Sequence, residues 1–120
     1  MTEQEVQEIY DRLLELTKAG TIQWKNTGEW EFTTSFSRSS VTVEMEYILS
    51  EEGQAALKIY NDAGLMVAYA APKPMGISGS GVKEFELDPS ELFSLIQDKV
   101  YKYSETSENI LDELRKLKAS

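Results

Sequence analysis

The chain contains no cysteine and no histidine. The first absence excludes disulfides, thiolate metal sites and cysteine nucleophiles, and it is the usage expected of a reducing compartment. The second removes the usual general base near neutral pH and the commonest metal ligand. A Ser–His–Asp arrangement therefore cannot be assembled within the chain. No stretch approaches the roughly 18 apolar residues of a membrane-spanning helix. The opening Met1-Thr2-Glu3-Gln4-Glu5 is acidic and lacks the basic-then-apolar order of a signal peptide. The expectation is a cytoplasmic protein with no membrane association and no cofactor.

What is present describes an ordinary globular domain. The 120 residues are 41% hydrophobic and 28% charged, with twelve aromatics. That length suits a single domain over 1–120. The net charge is −9, and its distribution is uneven: residues 1–62 carry 12 acids against 5 bases, residues 63–120 carry 9 against 7. A negative surface repels phosphate backbones, so direct nucleic-acid binding is not expected. A basic protein partner would be attracted to it.

The hydrophobic period changes along the chain. Val6, Ile9, Tyr10, Leu13, Leu16 and Thr17 recur at helical spacing. Thr2 and Glu5 have the spacing of a capping box, and Gly20 supplies a stop. After a connector over 21–29 in which Asn26-Thr27-Gly28 reads as a turn, the period becomes two. Trp30, Phe32, Thr34 and Phe36 fall on one side of a strand. Val41, Val43, Met45, Tyr47 and Leu49 fall on one side of the next, with Thr42, Glu44 and Glu46 opposite. Such alternation predicts an antiparallel sheet with one wet face. Phe32, Phe36, Val43, Tyr47, Leu57 and Ile59 are the expected core-facing residues.

A third strand is predicted near 55–60. Asn61-Asp62-Ala63-Gly64 then reads as a hairpin turn. The fourth strand, 65–71, is apolar on both sides, as a central or doubly covered strand would be. Residues 72–84 are rich in glycine, proline and serine, with a short fifth strand possible at 83–87. Asp88-Pro89-Ser90-Glu91 starts a helix, Asp88 as cap and Pro89 at the first helical position. Leu92, Ile96, Val100 and Tyr103 share its face, and Ser107, Ile110, Leu114 and Leu117 continue the seam at heptad-like spacing. A break at Ser104–Ser107 would make 104–120 a separate terminal helix, able to leave the domain and pair in a homodimer. The fold class is α+β: an N-terminal helix, a four- to five-stranded antiparallel meander sheet, and one or two C-terminal helices packed on one sheet face.

Four groups of residues are candidates for chemistry. Gly76 and Gly81 have the spacing of phosphate-loop glycines, but Val82 stands where that loop needs lysine, and no helix start follows. Gly76, Ser78 and Ser80 fail the nucleophile-elbow pattern at its last position. Glu31, Glu44 and Glu46 should share the wet sheet face, where they would bind a hard cation, act as acid and base, or simply be solvated, with one of them paired to cross-strand Lys58. No calcium-loop spacing occurs, and no metal site is expected. Trp24 and Trp30 flank a turn, and tryptophan often anchors interfaces, although it more often sits at half-buried core edges with its polar tip in water.

The expectation is a non-enzymatic interaction or regulatory module, neutralising another protein in the manner of an immunity protein or antitoxin. Its acidic sheet face would meet a basic protein through Trp24, Trp30, Glu31, Glu44 and Glu46. The alternative is a small-molecule-binding domain. There, residues 72–84 would form a mobile flap, with Pro74, Met75, Gly76, Gly79 and Gly81, closing over a pocket near Trp24 and Trp30.

Overall fold

A computed structural model of the chain describes residues 1–47, 52–74, 76 and 81–117. Helix α1 (Glu3–Lys18) is followed by strands β1 (Lys25–Gly28), β2 (Glu31–Ser35), β3 (Ser40–Glu46), β4 (Gln54–Tyr60), β5 (Met66–Ala71) and β6 (Lys83–Glu86). Helices α2 (Ser90–Tyr101) and α3 (Tyr103–Lys116) complete the chain. The fold is α+β, and its single sheet has the order β1-β2-β3-β4-β5-β6.

Local signals set the element ends. Thr2 and Glu5 exchange side-chain and backbone hydrogen bonds in a capping box. Those bonds from Thr2 hold the Glu5 carboxyl below the usual carboxylate range. At the other end of α1, Thr21 N–H reaches the Leu16 carbonyl and Gly20 N–H reaches that of Thr17. This closure requires the left-handed backbone that Gly20 adopts at φ 75°. In the β4–β5 hairpin, Asn61 Oδ1 accepts from the backbone N–H groups of Ala63 and Leu65.

The register puts Phe32, Val43, Leu57, Ala70 and Phe85 in one row across five strands. Val41, Ile59 and Ala68 form the adjoining row. Both rows join Val6, Tyr10 and Leu13 of α1 and Leu92, Phe93 and Ile96 of α2 in one buried core. Burial of these apolar groups is the main stabilising contribution.

Several sequence expectations need correction. The sheet has six strands rather than four or five, and β6 pairs with β5 in parallel. A parallel neighbour needs a crossover in place of a tight turn, and the segment 72–82 supplies it. The first strand is 25–28, and the turn falls at Glu29-Trp30 rather than at Asn26-Thr27-Gly28. Trp30 is thus a turn residue and not the first position of β2. Phe36 and Tyr47 are half-exposed, not core. Phe36 follows the end of β2 and makes the 36–39 turn, its N–H bonded to the Ser39 carbonyl. Tyr47 follows the end of β3 and lies over Gly53, whose missing side chain leaves room for the ring. Leu49 lies outside the described residues.

The C-terminal break comes earlier than predicted. Lys102 adopts a left-handed backbone (φ 56°) between α2 and α3. Asp98 then accepts hydrogen bonds from Ser104 N–H (3.1 Å) and Ser104 Oγ (2.9 Å), which satisfies donors at the start of α3. Similarly, Asp88 accepts from Ser90 N–H, although Pro89 takes the cap position expected of Asp88. Helix α3 buries none of its residues: Ile110, Leu111 and Leu114 are exposed along it, and Leu117 just beyond it. No helix among the described residues is long and apolar enough to cross a membrane.

Candidate functional site

The predicted carboxylates do share the sheet face opposite the helices. Glu31 stands directly across from Glu44 in the β2–β3 register. Their environments differ from a bare acidic surface. Lys58, on β4, forms ion pairs with both Glu44 and Glu46, the latter at 3.8 Å. The Tyr69 hydroxyl donates to Glu46. Burial favours the neutral Lys58 amine, but the hydrogen bond and charge of Glu44 and then the charge of Glu46 outweigh it, so its pKa is raised. Burial, reinforced by the Glu46 carboxylate, also raises the Tyr69 hydroxyl well above the usual phenol range. Glu31 accepts a hydrogen bond from Thr27 Oγ1 at 3.0 Å, and Thr27, Thr33 and Thr42 form a hydroxyl chain across three strands. Among the described residues, no group of three acidic side chains is placed to hold a metal ion.

This face is only partly wet, contrary to the simple alternation argument. Ala56, Tyr69 and Ala71 are fully buried on it beneath Met66 and Val82. Gln54 fixes the start of the crossover segment: its amide nitrogen donates to the Lys73 carbonyl, and its amide oxygen accepts from Lys73 N–H. Pro74, Gly76 and Gly81 are exposed, with both glycines in the left-handed region. Met75 and Gly79 lie outside the described residues. The segment joins β5 to β6, whereas Trp24 and Trp30 flank β1 at the opposite edge of the sheet. The described ends of the segment thus lie at the sheet edge away from Trp24 and Trp30. The clefts next to Trp24 and Trp30 are bordered instead by the α2–α3 junction.

The two tryptophans have opposite fates. Trp24 is 9% exposed, and its indole N–H donates to Thr17 Oγ1 at 2.9 Å. It packs into the hydrophobic core and borders the cleft beside the α2–α3 junction. Trp30 is 44% exposed and has φ 61°, a conformation that bulky L-residues rarely adopt. Its carbonyl accepts from Met45 N–H at 3.0 Å, so the pairing with β3 ties this backbone down. Strain of this kind is worth about 1–3 kcal/mol and persists only where the surroundings impose it.

Sequence reasoning did not connect Trp30 with Tyr101 and Tyr103. Tyr101 is anchored twice, by Asn26 Nδ2 donating to its hydroxyl at 2.8 Å and by an edge contact with Phe32 at 5.8 Å. Tyr103, across the Lys102 turn, stacks on Tyr101 with centroids 5.6 Å apart. The two rings are 45% and 51% exposed. Trp30, Tyr101 and Tyr103 line one cleft of about 270 Å³ together with Asn26, Gly28 and Glu29. The left-handed turn at Lys102 makes the cluster, and single-sequence periodicity carries no signal for it. Among the described residues, no ion pair engages Glu29, in contrast to Glu44 and Glu46.

No family model, curated protein or solved structure matches this chain.

Proposed function

We propose that the protein is a non-enzymatic interaction module that docks a basic protein partner on the edge of its sheet. The observation that carries this reading is the exposed cluster of Trp30, Tyr101 and Tyr103 beside Glu29, held by a strained turn and a stacked ring pair. Aromatic side chains of this kind supply most of the binding energy at protein interfaces. The surplus acidity of residues 1–62 favours a positive partner and steers its approach. The binding surface is thus shifted from that expected of the sequence: Trp30 stays at it, Trp24 leaves it, Glu31 lies on the other sheet face beside Glu44, and Glu44 and Glu46 are largely satisfied by Lys58 and Tyr69. The exposed ridge of Ile110, Leu114 and Leu117 begins at Tyr103 and extends the same surface along α3. A neutralising or regulatory role suits a module whose chemistry is confined to recognition.

The test is affinity capture with the full chain against a native lysate, followed by kinetics on any partner retained. Capture of a basic protein should fail with Trp30→Ala and with Tyr101→Ala, while each variant keeps its fold. Its association rate should fall as salt rises from low to physiological strength. Equal capture by the wild type and both folded variants would remove the reading.

A further inference from the structure

The aromatic cleft has a composition more specific than a general contact surface. Three half-exposed aromatic residues and Glu29, which no ion pair engages among the described residues, line a volume of about 270 Å³. That is below the roughly 300–1,000 Å³ of pockets for drug-sized ligands. It suits one side chain entering from a partner. An apolar side chain would satisfy the rings but leave the Glu29 carboxylate without a counter-charge. A cation satisfies both, since aromatic faces attract positive charge and the carboxylate pairs with it.

We propose that this cleft receives an arginine side chain of the partner protein, its guanidinium against the Trp30, Tyr101 and Tyr103 rings and its N–H groups directed to Glu29. The inference rests on the interaction reading above and names the group that the site recognises. Arginine fits better than lysine for two reasons. The guanidinium is planar and stacks on aromatic faces, and it gives up water more readily than an ammonium. The cleft is also shallow and open, so a flat group lying on a ring fills it better than a compact tetrahedral one needing enclosure. The Asn26 amide already occupies the Tyr101 hydroxyl and holds that ring in place.

The test uses the full chain, ¹⁵N-labelled, titrated with acetyl-Gly-Arg-Gly-amide and separately with the same peptide carrying citrulline, the neutral isostere. The indole N–H of Trp30 reports on the cleft, and that of buried Trp24 reports on the fold. The arginine peptide should shift the Trp30 signal saturably and leave Trp24 unmoved. The citrulline peptide should bind at least about tenfold more weakly, because the cation–aromatic and ion-pair contributions are both lost. Glu29→Gln, an exposed change that leaves the fold intact, should weaken the arginine peptide without affecting the citrulline one. Equal binding of the two peptides, or no Trp30 response to arginine, would overturn the assignment. Loss of the arginine assignment alone leaves Trp30-dependent capture of a partner intact. Failure of the interaction reading instead shows as capture that ignores Trp30 and Tyr101.

Discussion

Trp24 donates its indole N–H to the Thr17 hydroxyl at 2.9 Å, both side chains being buried between α1 and the start of β1. The bond satisfies the single polar atom of a large apolar ring. Thr17→Val keeps the shape and removes the acceptor, leaving a buried donor unpaired. Such a loss costs about 1–3 kcal/mol. Urea denaturation should show a lower midpoint with an unchanged slope, and Trp24 fluorescence follows the transition directly.

Leu57 and Phe36 contrast what the sequence makes legible with what it hides. Period-two alternation places both toward the core, and Leu57 is fully buried in the row between Val43 and Ala70. Leu57→Ala should cost about 2–5 kcal/mol. Phe36→Ala should cost markedly less, since the ring is half-exposed. Alternation states only which way a side chain points while the strand continues; it says nothing of where the strand stops. The same limit displaced Trp30 and Tyr47, each one residue beyond a strand end. Helix signals read better because capping is local: Thr2, Glu5, Gly20 and Asp88 all act within a few residues of themselves. The pairing of Lys58 with the wet-face glutamates is legible from cross-strand alternation, whereas the parallel β6, the Tyr69–Glu46 bond and the Trp30–Tyr101–Tyr103 cluster depend on tertiary arrangement, which no local pattern encodes.

The phenol of Tyr69 and the amine of Lys58 both have raised pKa values in the folded chain. In the unfolded chain these groups titrate near 10 and 10.4. Above about pH 10 the unfolded state therefore loses protons first, and the native state holds more. Stability should be flat through neutrality on this account and fall as pH rises beyond about 10. Tyr69→Phe should reduce the steepness of that alkaline loss. Chemical denaturation at stepped pH values checks it; an identical slope in the variant would assign the loss to other groups.

Trp30 permits a direct measurement of backbone strain. At ordinary positions glycine is less stabilising than alanine, because it loses more conformational freedom on folding. A left-handed residue reverses the order, since the alanine Cβ meets the following carbonyl at a cost of roughly 1–2 kcal/mol. Trp30→Gly should therefore be more stable than Trp30→Ala by about 1 kcal/mol, after the entropy of the unfolded glycine is allowed for. Both remove the exposed indole, so both should lose the arginine peptide. Stability and recognition would then move independently at one position.

Helix α3 buries nothing, and a helix of about 14 residues is marginal alone in water. Its order must come from local contributions. The Asp98 carboxylate holds Ser104 through two bonds, Tyr103 stacks on Tyr101, and Asp112 and Lys116 form an i,i+4 ion pair at 3.0 Å. The exposed pair is worth only about 0.3–0.5 kcal/mol, so the junction at Asp98 carries more of the burden. Amide hydrogens of α3 should thus exchange far faster than those of α2, whose Leu92, Phe93 and Ile96 sit in the core. Asp98→Ala should accelerate exchange in the first turns of α3 and leave β3, β4 and α2 protected. Because Tyr103 rides on that first turn, the same change should loosen the aromatic cleft and weaken the arginine peptide. If exchange in α3 instead matched that of the core and ignored Asp98→Ala, a contact on the Ile110–Leu117 ridge would have to be holding the helix, and self-association would be the first thing to measure.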